Sequence, residues 1–194
     1  MIVEIKTIQD ISSGEYKEKG SKFLAYAHPV SSEEEVKELV KAYKKEYFDA
    51  RHHCYAYILG AEKSQFRAAD DGEPSNSAGN PILGQIRSNE LTNVMVMVVR
   101  YFGGTKLGVP GLIHAYRSAC SFALENSTIV LKKVSVKIEL QFEYPSMNEV
   151  MKVIKDYDLK ILSNKFDNTQ CIYHIEYNLE YEEVVLKSLK TFII

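Results

Sequence analysis

The sequence predicts an α+β protein in two parts, and three observations carry that expectation. An almost wholly apolar run, Val94 to Val99, lies between helical patterns and reads as a central strand buried on both faces. A strict alternation of Val134, Val136, Ile138, Leu140 and Phe142 with Ser135, Lys137, Glu139 and Gln141 reads as a half-buried strand. The pattern also changes near residues 128–134, and no glycine follows Gly111. The expected domains are therefore 1–130 and 134–194. The 194 residues are 45% apolar and 26% charged, which gives enough apolar material for a core and excludes a disordered or collagen-like chain.

In the first part, residues 3–9 and 22–30 read as strands. Between them Gly14 and Gly20 flank a charged turn region, Glu15 to Lys19. Ser31 or Ser32 caps a helix running to about residue 48. Three glutamates in its first turn complement the macrodipole, and Val36, Leu39, Val40 and Tyr43 form its buried stripe. His53–Leu59 and Gln65–Ala69 read as a strand pair, and 75–87 as a short helix or loop. The 94–101 strand runs into a glycine loop, and Pro110 sits near the start of a helix to about 126. In the second part the alternating strand is followed by a helix opened by Pro145. Strands at about 159–166 and 170–179 come next, split by the turn signal Asp167-Asn168-Thr169, and a last helix spans about 181–192. The β-α-β-β-α order, with space for a short final strand, predicts a ferredoxin-like α/β sandwich: one sheet covered by two helices.

A net charge of −2 excludes a strongly basic nucleic-acid tail, so any nucleic-acid contact requires a local patch. Cys54, Cys120 and Cys171 are odd in number and widely spaced, which points to reduced thiols rather than disulfides or a zinc site. No apolar core follows Met1-Ile2-Val3-Glu4-Ile5-Lys6, and no apolar run approaches the ~20 residues of a membrane span. The expectation is a cytoplasmic protein without membrane attachment.

Three segments hold residue types suited to chemistry. In Arg100-Tyr101-Phe102-Gly103-Gly104-Thr105-Lys106-Leu107-Gly108 a buried strand meets a glycine loop and a helix N-terminus, the ingredients of an anion cradle. No acid occurs from Leu91 to Leu124, whereas Arg100, Lys106 and Arg117 do. The spacing is not that of a Walker A loop, and the same glycines would also serve a purely structural loop. Asp70, Asp71 and Glu73 place three carboxylates within four residues. That set suits Mg2+ or acid/base work, and equally a turn that caps the helix after it or acids that pair with Arg100 or Arg51. In Arg51-His52-His53-Cys54 successive side chains on a strand point to opposite faces, so the two histidines do not share a metal.

Together with Gly20-Ser21-Lys22-Phe23, Ala50 to Tyr57 and Asp70-Asp71-Gly72-Glu73-Pro74-Ser75, this order of motifs resembles the YigZ/IMPACT family over most of residues 1–125. Residues 134–194 are similar to the C-terminal domain of its bacterial branch. The resemblance implies a ribosomal-protein-S5-domain-2-like N-terminal domain, and a C-terminal domain similar to the last domain of elongation factor G. Eukaryotic members act in translational control by competing for the activator of a starvation-sensing kinase that bacteria lack, so that partner is not carried over. The implied partners are RNA, the ribosome or a translation factor. The sequence departs from the family pattern where Pro110 replaces a usual glycine and His114 a usual arginine. Asn76-Ser77 also replaces the usual Gly-Thr. The expected anion- or nucleic-acid-binding residues are Arg51, His52, Arg100, Gly103, Gly104, Lys106, Gly108 and Arg117, with Asp70, Asp71 and Glu73 as site-shaping acids. Tyr55, Tyr101 or Phe102 are candidates for stacking on a base. No catalytic residue, metal or cofactor is assigned. The alternative is a small enzyme acting on a phosphorylated or anionic metabolite.

Overall fold

The computed structural model describes residues 2–167 and 169–194, a mixed arrangement of helices and antiparallel sheets. The chain divides into one unit spanning Ile5–Lys132 and a second formed by Lys133–Ile194 with the N-terminal residues up to Glu4. Those first residues group with the second unit because the Val3 carbonyl accepts the Val134 N–H at 2.8 Å.

In the first unit, β1 (Glu4–Ile8) is followed by β2 (Ser12–Glu18), β3 (Ser21–Pro29), α1 (Glu33–Glu46), β4 (His52–Leu59) and β5 (Gln65–Ala69). Then come α2 (Gly79–Ser88), β6 (Val94–Tyr101), α3 (Gly108–Glu125) and β7 (Ile129–Lys133). A five-stranded sheet has the order β2-β3-β6-β4-β5 with every pairing antiparallel; β1 and β7 form a separate two-stranded ribbon. β6 is the middle strand. Val94, Val96 and Val98 pack toward Ile82 and Ile86 of α2 and Ala115, Tyr116 and Ala119 of α3. Met95, Met97 and Val99 pack toward Val36 and Tyr43 of α1. All six are fully buried, and side chains of this kind contribute about 1.5–3 kcal/mol each. The strand that carries Arg100 is thus anchored from both faces. The burial expected from the sequence is present, produced by helices on both faces of an antiparallel sheet.

The segment Glu15 to Lys19 is a correction. Glu15–Glu18 belong to β2, which pairs with β3 from Ser12↔Ala27 to Glu18↔Ser21, and only Lys19 and Gly20 make the turn. Gly14 is not a turn glycine. A Cβ there would lie 2.5 Å from the Ala123 backbone nitrogen, so its missing side chain lets α3 cross close over β2.

The second unit contains β8 (Ser135–Glu143), α4 (Met147–Asp156), β9 (Lys160–Phe166), β10 (Gln170–Asn178) and α5 (Glu182–Leu189). Its sheet has the order β8-β10-β9, and Ile193 bridges Leu140 of β8. Leu140, Phe142, Cys171, Tyr173 and Ile175 pack with Val150, Ile154, Val185 and Leu189. Pro145 lies in a short 3-10 turn, Tyr144–Ser146, just before α4. The turn expected at Asp167-Asn168-Thr169 contains Asn168, which lies outside the described residues, as does Met1. Asp167 Oδ1 accepts the N–H groups of Thr169 and Gln170 at 2.9 and 2.8 Å. All three cysteines are free and buried, and no helix is long and apolar enough to cross a membrane among the described residues.

Candidate functional site

A cleft of about 520 Å3 opens where four segments of the first unit meet. The start of β4 brings Arg51 and His52, and the turn after β5 brings Gly72, Glu73 and Pro74. The end of β6 brings Arg100 and Phe102, and the entry to α3 brings Lys106, Leu107, Gly108, Val109 and Leu112. The 18-residue α3 has no side-chain cap and no acid in its first turn. Gly108 and Val109 of its first turn line the cleft, so the positive end of its dipole lies there, although Pro110 in the same turn has no N–H. Arg51 and Lys106 are exposed, and among the described residues neither makes an ion pair.

The acidic motif folds first as a turn. Glu73 N–H donates to the Asp70 carbonyl at 2.9 Å, and Asp71 and Gly72 between them have φ +41° and +87°. Asp-Gly is a pair that tolerates two positive φ values in succession. The turn sends the three carboxylates in different directions. Asp70 accepts from the backbone N–H groups of Asn76, Ala78 and Gly79 at 2.8–3.0 Å and so caps α2. Asp71 accepts from Lys44 Nζ and from the His53 N–H, both at 2.8 Å. Burial alone would push the Asp71 carboxyl up. The Lys44 ammonium and the His53 N–H outweigh it and hold the group below the ordinary aspartate range. Only Glu73 reaches the cleft. The Mg2+ arrangement raised by the sequence is not formed, because the carboxylates do not converge; no group of three metal-ligating side chains occurs among the described residues.

Glu73 is the centre of a buried polar network. Its Oε1 accepts from Arg100 Nη1 at 2.5 Å and from the Tyr116 hydroxyl at 2.8 Å. The Cys54 thiol lies 3.3 Å from that hydroxyl and 3.0 Å from the Asp70 carbonyl. Burial pushes both the Cys54 thiol and the Tyr116 hydroxyl far up, so both stay protonated at neutral pH. Arg100 is 5% exposed, and its guanidinium lies 5.4 Å from the Phe23 ring centre and 5.6 Å from that of Phe102. Its Nε is buried without a hydrogen-bond partner.

The two histidines diverge as strand geometry requires. His52 faces the cleft, with Nδ1 2.9 Å from the Asp71 carbonyl and Nε2 3.9 Å from Glu73 Oε1. His53 points to the other face, where its Nε2 lies 3.1 Å from the Tyr47 carbonyl.

Of the residues singled out from sequence, the cleft gathers Arg51, His52, Glu73, Arg100, Lys106 and Gly108, together with Phe102. Arg117 does not join them. It lies three residues beyond His114 on α3, on a separate groove with Asn76, Asn80 and Gln85. Gly103 has a packing role: a Cβ there would lie 1.8 Å from the Gly20 carbonyl carbon, and its N–H donates to Ser21 Oγ at 3.1 Å. Gly104 is exposed with open space around it. Tyr55 and Tyr101 pack with the α1 side of the sheet, leaving Phe102, 46% exposed, as the aromatic at the cleft. His114 meets the edge of Tyr16 instead, at 5.6 Å between ring centres. Tyr116 escaped the sequence reading because it sits on an apolar helical face with Leu112, Ala115 and Ala119, where a tyrosine reads as core. Its hydroxyl beside a buried acid is visible only in three dimensions.

The Impact N-terminal domain model matches residues 19–124. IMPACT family member YvyE of Bacillus subtilis (strain 168) is 30% identical over 179 residues, covering 92% of this chain and 78% of that protein. IMPACT family member YigZ of Escherichia coli (strain K12) is 33% identical over 150 residues, covering 76% and 74%. A solved structure titled as the crystal structure of a hypothetical protein superposes with a TM-score of 0.80 at 26% identity, over 98% of this chain and 93% of that one. The chain belongs to the IMPACT family.

Proposed function

We propose that this chain is a cytoplasmic, non-enzymatic regulator linked to translation or stress, and that it binds RNA, on its own or within the ribosome, by taking phosphate into the cleft. The carrying observation is the convergence of Arg51, Lys106 and Arg100 with the uncapped N-terminus of α3, on a wall whose acid, Glu73, is already engaged by Arg100 and Tyr116. Phosphate contacts of this kind give sequence-independent, salt-dependent affinity. Phe102 beside them offers an exposed ring for an unpaired base. In this reading the first unit is ribosomal-protein-S5-domain-2-like. The second is a ferredoxin-like sandwich, which its β-α-β-β-α order and the Ile193 bridge to β8 support. No cofactor is invoked.

The test is sedimentation of lysate through sucrose gradients at low and moderate salt, with wild type and an Arg51→Ala/Lys106→Ala variant. Arg100 is left intact because it is buried in an ion pair. Comigration of the wild type with ribosomal particles, lost with salt and absent in the variant, is expected. Retention of both proteins in the top fractions at low salt contradicts the ribosomal form of the proposal.

The cleft volume favours one rival, since about 520 Å3 falls in the range of small-ligand pockets, ~300–1,000 Å3. A phosphorylated metabolite would then raise the thermal midpoint by mass action in a panel of nucleotides and sugar phosphates, with and without Mg2+. The buried, protonated Cys54 supplies no nucleophile for such an enzyme.

A further inference from the structure

We propose that the cleft reads a ribose hydroxyl beside the bound phosphate, with His52 Nε2 as the acceptor, so that it takes RNA in preference to DNA. This rests on the phosphate-binding reading above and adds a specificity-determining residue to it.

The lining of the cleft asks for two kinds of chemistry. Arg51, Lys106 and the start of α3 bring positive charge and donors, matched by a phosphate. His52 brings the second kind, and its tautomer is fixed. Its Nδ1 lies 2.9 Å from the Asp71 carbonyl oxygen, which only accepts, so Nδ1 carries the hydrogen. In the neutral ring Nε2 is then a bare acceptor. Glu73 Oε1, 3.9 Å from it, is an acceptor too and beyond hydrogen-bond reach. A phosphate oxygen has no hydrogen to offer this gap. A hydroxyl has one, and the lone pairs left on its oxygen remain free for the cationic groups.

The ligand class that meets both demands carries a phosphate and a hydroxyl on neighbouring carbons. In RNA the 2′-hydroxyl stands next to the 3′-phosphate; DNA lacks it, and the 2′-hydroxyl is the group that lets a protein tell the two apart. The acceptor is also placed to discriminate. Asp71, which orients His52 through its carbonyl, is itself held by Lys44 and the His53 N–H, so the imidazole is fixed before any ligand arrives.

The experiment is fluorescence anisotropy with three single-stranded octamers of one sequence: RNA, DNA and 2′-O-methyl RNA. It is run at fixed salt and about pH 8. The wild type is expected to bind RNA about tenfold more tightly than DNA, the order of one well-formed hydrogen bond. The 2′-O-methyl strand, which cannot donate, is expected to bind like DNA. His52→Ala is expected to bring the RNA-to-DNA affinity ratio from about ten to about one, with circular dichroism showing that the variant is folded. Equal binding of RNA and DNA by the wild type, with Lys106→Ala weakening both, overturns the hydroxyl proposal and leaves the phosphate reading standing. Binding of no strand overturns both. A melting shift with a nucleoside 3′-monophosphate but no oligonucleotide binding overturns the RNA assignment and moves the site to the metabolite rival.

Discussion

Glu73→Ala is the perturbation whose cost the structure defines most fully. The carboxylate is almost wholly buried, with its side chain 4% exposed, and it neutralises Arg100, whose side chain is 6% exposed. Its removal strands the guanidinium, whose Nε already has no partner, and leaves the Tyr116 hydroxyl with one fewer acceptor. Breaking a buried pair from one side costs about 3–5 kcal/mol, and the lost tyrosine hydrogen bond adds about 1 kcal/mol. A domain holds only about 5–15 kcal/mol in total, so the variant gives up a large share of its stability. With a urea m-value of about 2 kcal/mol/M, a loss near 4 kcal/mol lowers the unfolding midpoint by about 2 M. The assay is urea unfolding followed by tyrosine fluorescence and circular dichroism, the chain having 13 Tyr and no Trp. The control is Glu73→Gln with Arg100→Met. Removing both charges avoids an unpaired buried ion, so this double variant is expected to be more stable than Glu73→Ala alone. A Glu73→Ala midpoint within about 0.3 M of wild type would refute the buried-network account, because a difference that small is below 1 kcal/mol at this slope.

Two further outcomes follow from the same packing and charges. Gly103→Ala drives a methyl group to within 1.8 Å of the Gly20 backbone and is expected to lower thermal stability sharply, whereas Gly84→Ala, with nothing within 4 Å, is expected to be neutral or slightly stabilising; matching melting curves for the two would contradict the close approach. Asp71 has a folded pKa below its unfolded value, so its contribution is fully present above the unfolded pKa and is lost as pH falls through the folded one. Asp71→Asn should therefore be less stable than wild type at pH 7 and should lose less than wild type between about pH 5 and 2, read as urea midpoints against pH.

The elements legible in the sequence were those whose local pattern and tertiary surroundings agree. Val94 to Val99 announced a strand with two buried faces because both its odd and even positions are apolar. Ser32 and Glu33 to Glu35 announced α1, and Ser32 Oγ accepts the Glu35 N–H at 3.2 Å. β2 was not legible. Its sequence, Ser-Ser-Gly-Glu-Tyr-Lys-Glu, has one large apolar residue, and it is a strand because β3 and α3 supply its partners. β7, exposed along most of its length, was missed for a related reason: it pairs only with β1 in a two-stranded ribbon.

The site was half legible. Charge patterning found Arg100 and Lys106, because a run of 34 residues without an acid marks a basic surface, and Arg51 came from the motif Ala50 to Tyr57. The same pattern placed Arg117 with them, although helical geometry carries it to another groove. The glycine loop drew attention for its backbone freedom, yet Gly103 is there to let two turns touch. The separation of Asp70 as a helix cap, Asp71 as a clamp and Glu73 as the partner of Arg100 depends on an Asp-Gly turn whose direction no linear motif gives.

The most direct test of the central claim is the salt dependence of RNA binding by the wild type and by Arg51→Ala/Lys106→Ala. The double variant removes two exposed charges and no buried contact. If phosphate enters the cleft, its slope of log affinity against log salt is expected to be shallower by about 1.4, at about 0.7 per phosphate contact for a single strand. An unchanged slope and affinity would mean that phosphate is held elsewhere, and would contradict the assignment of this cleft.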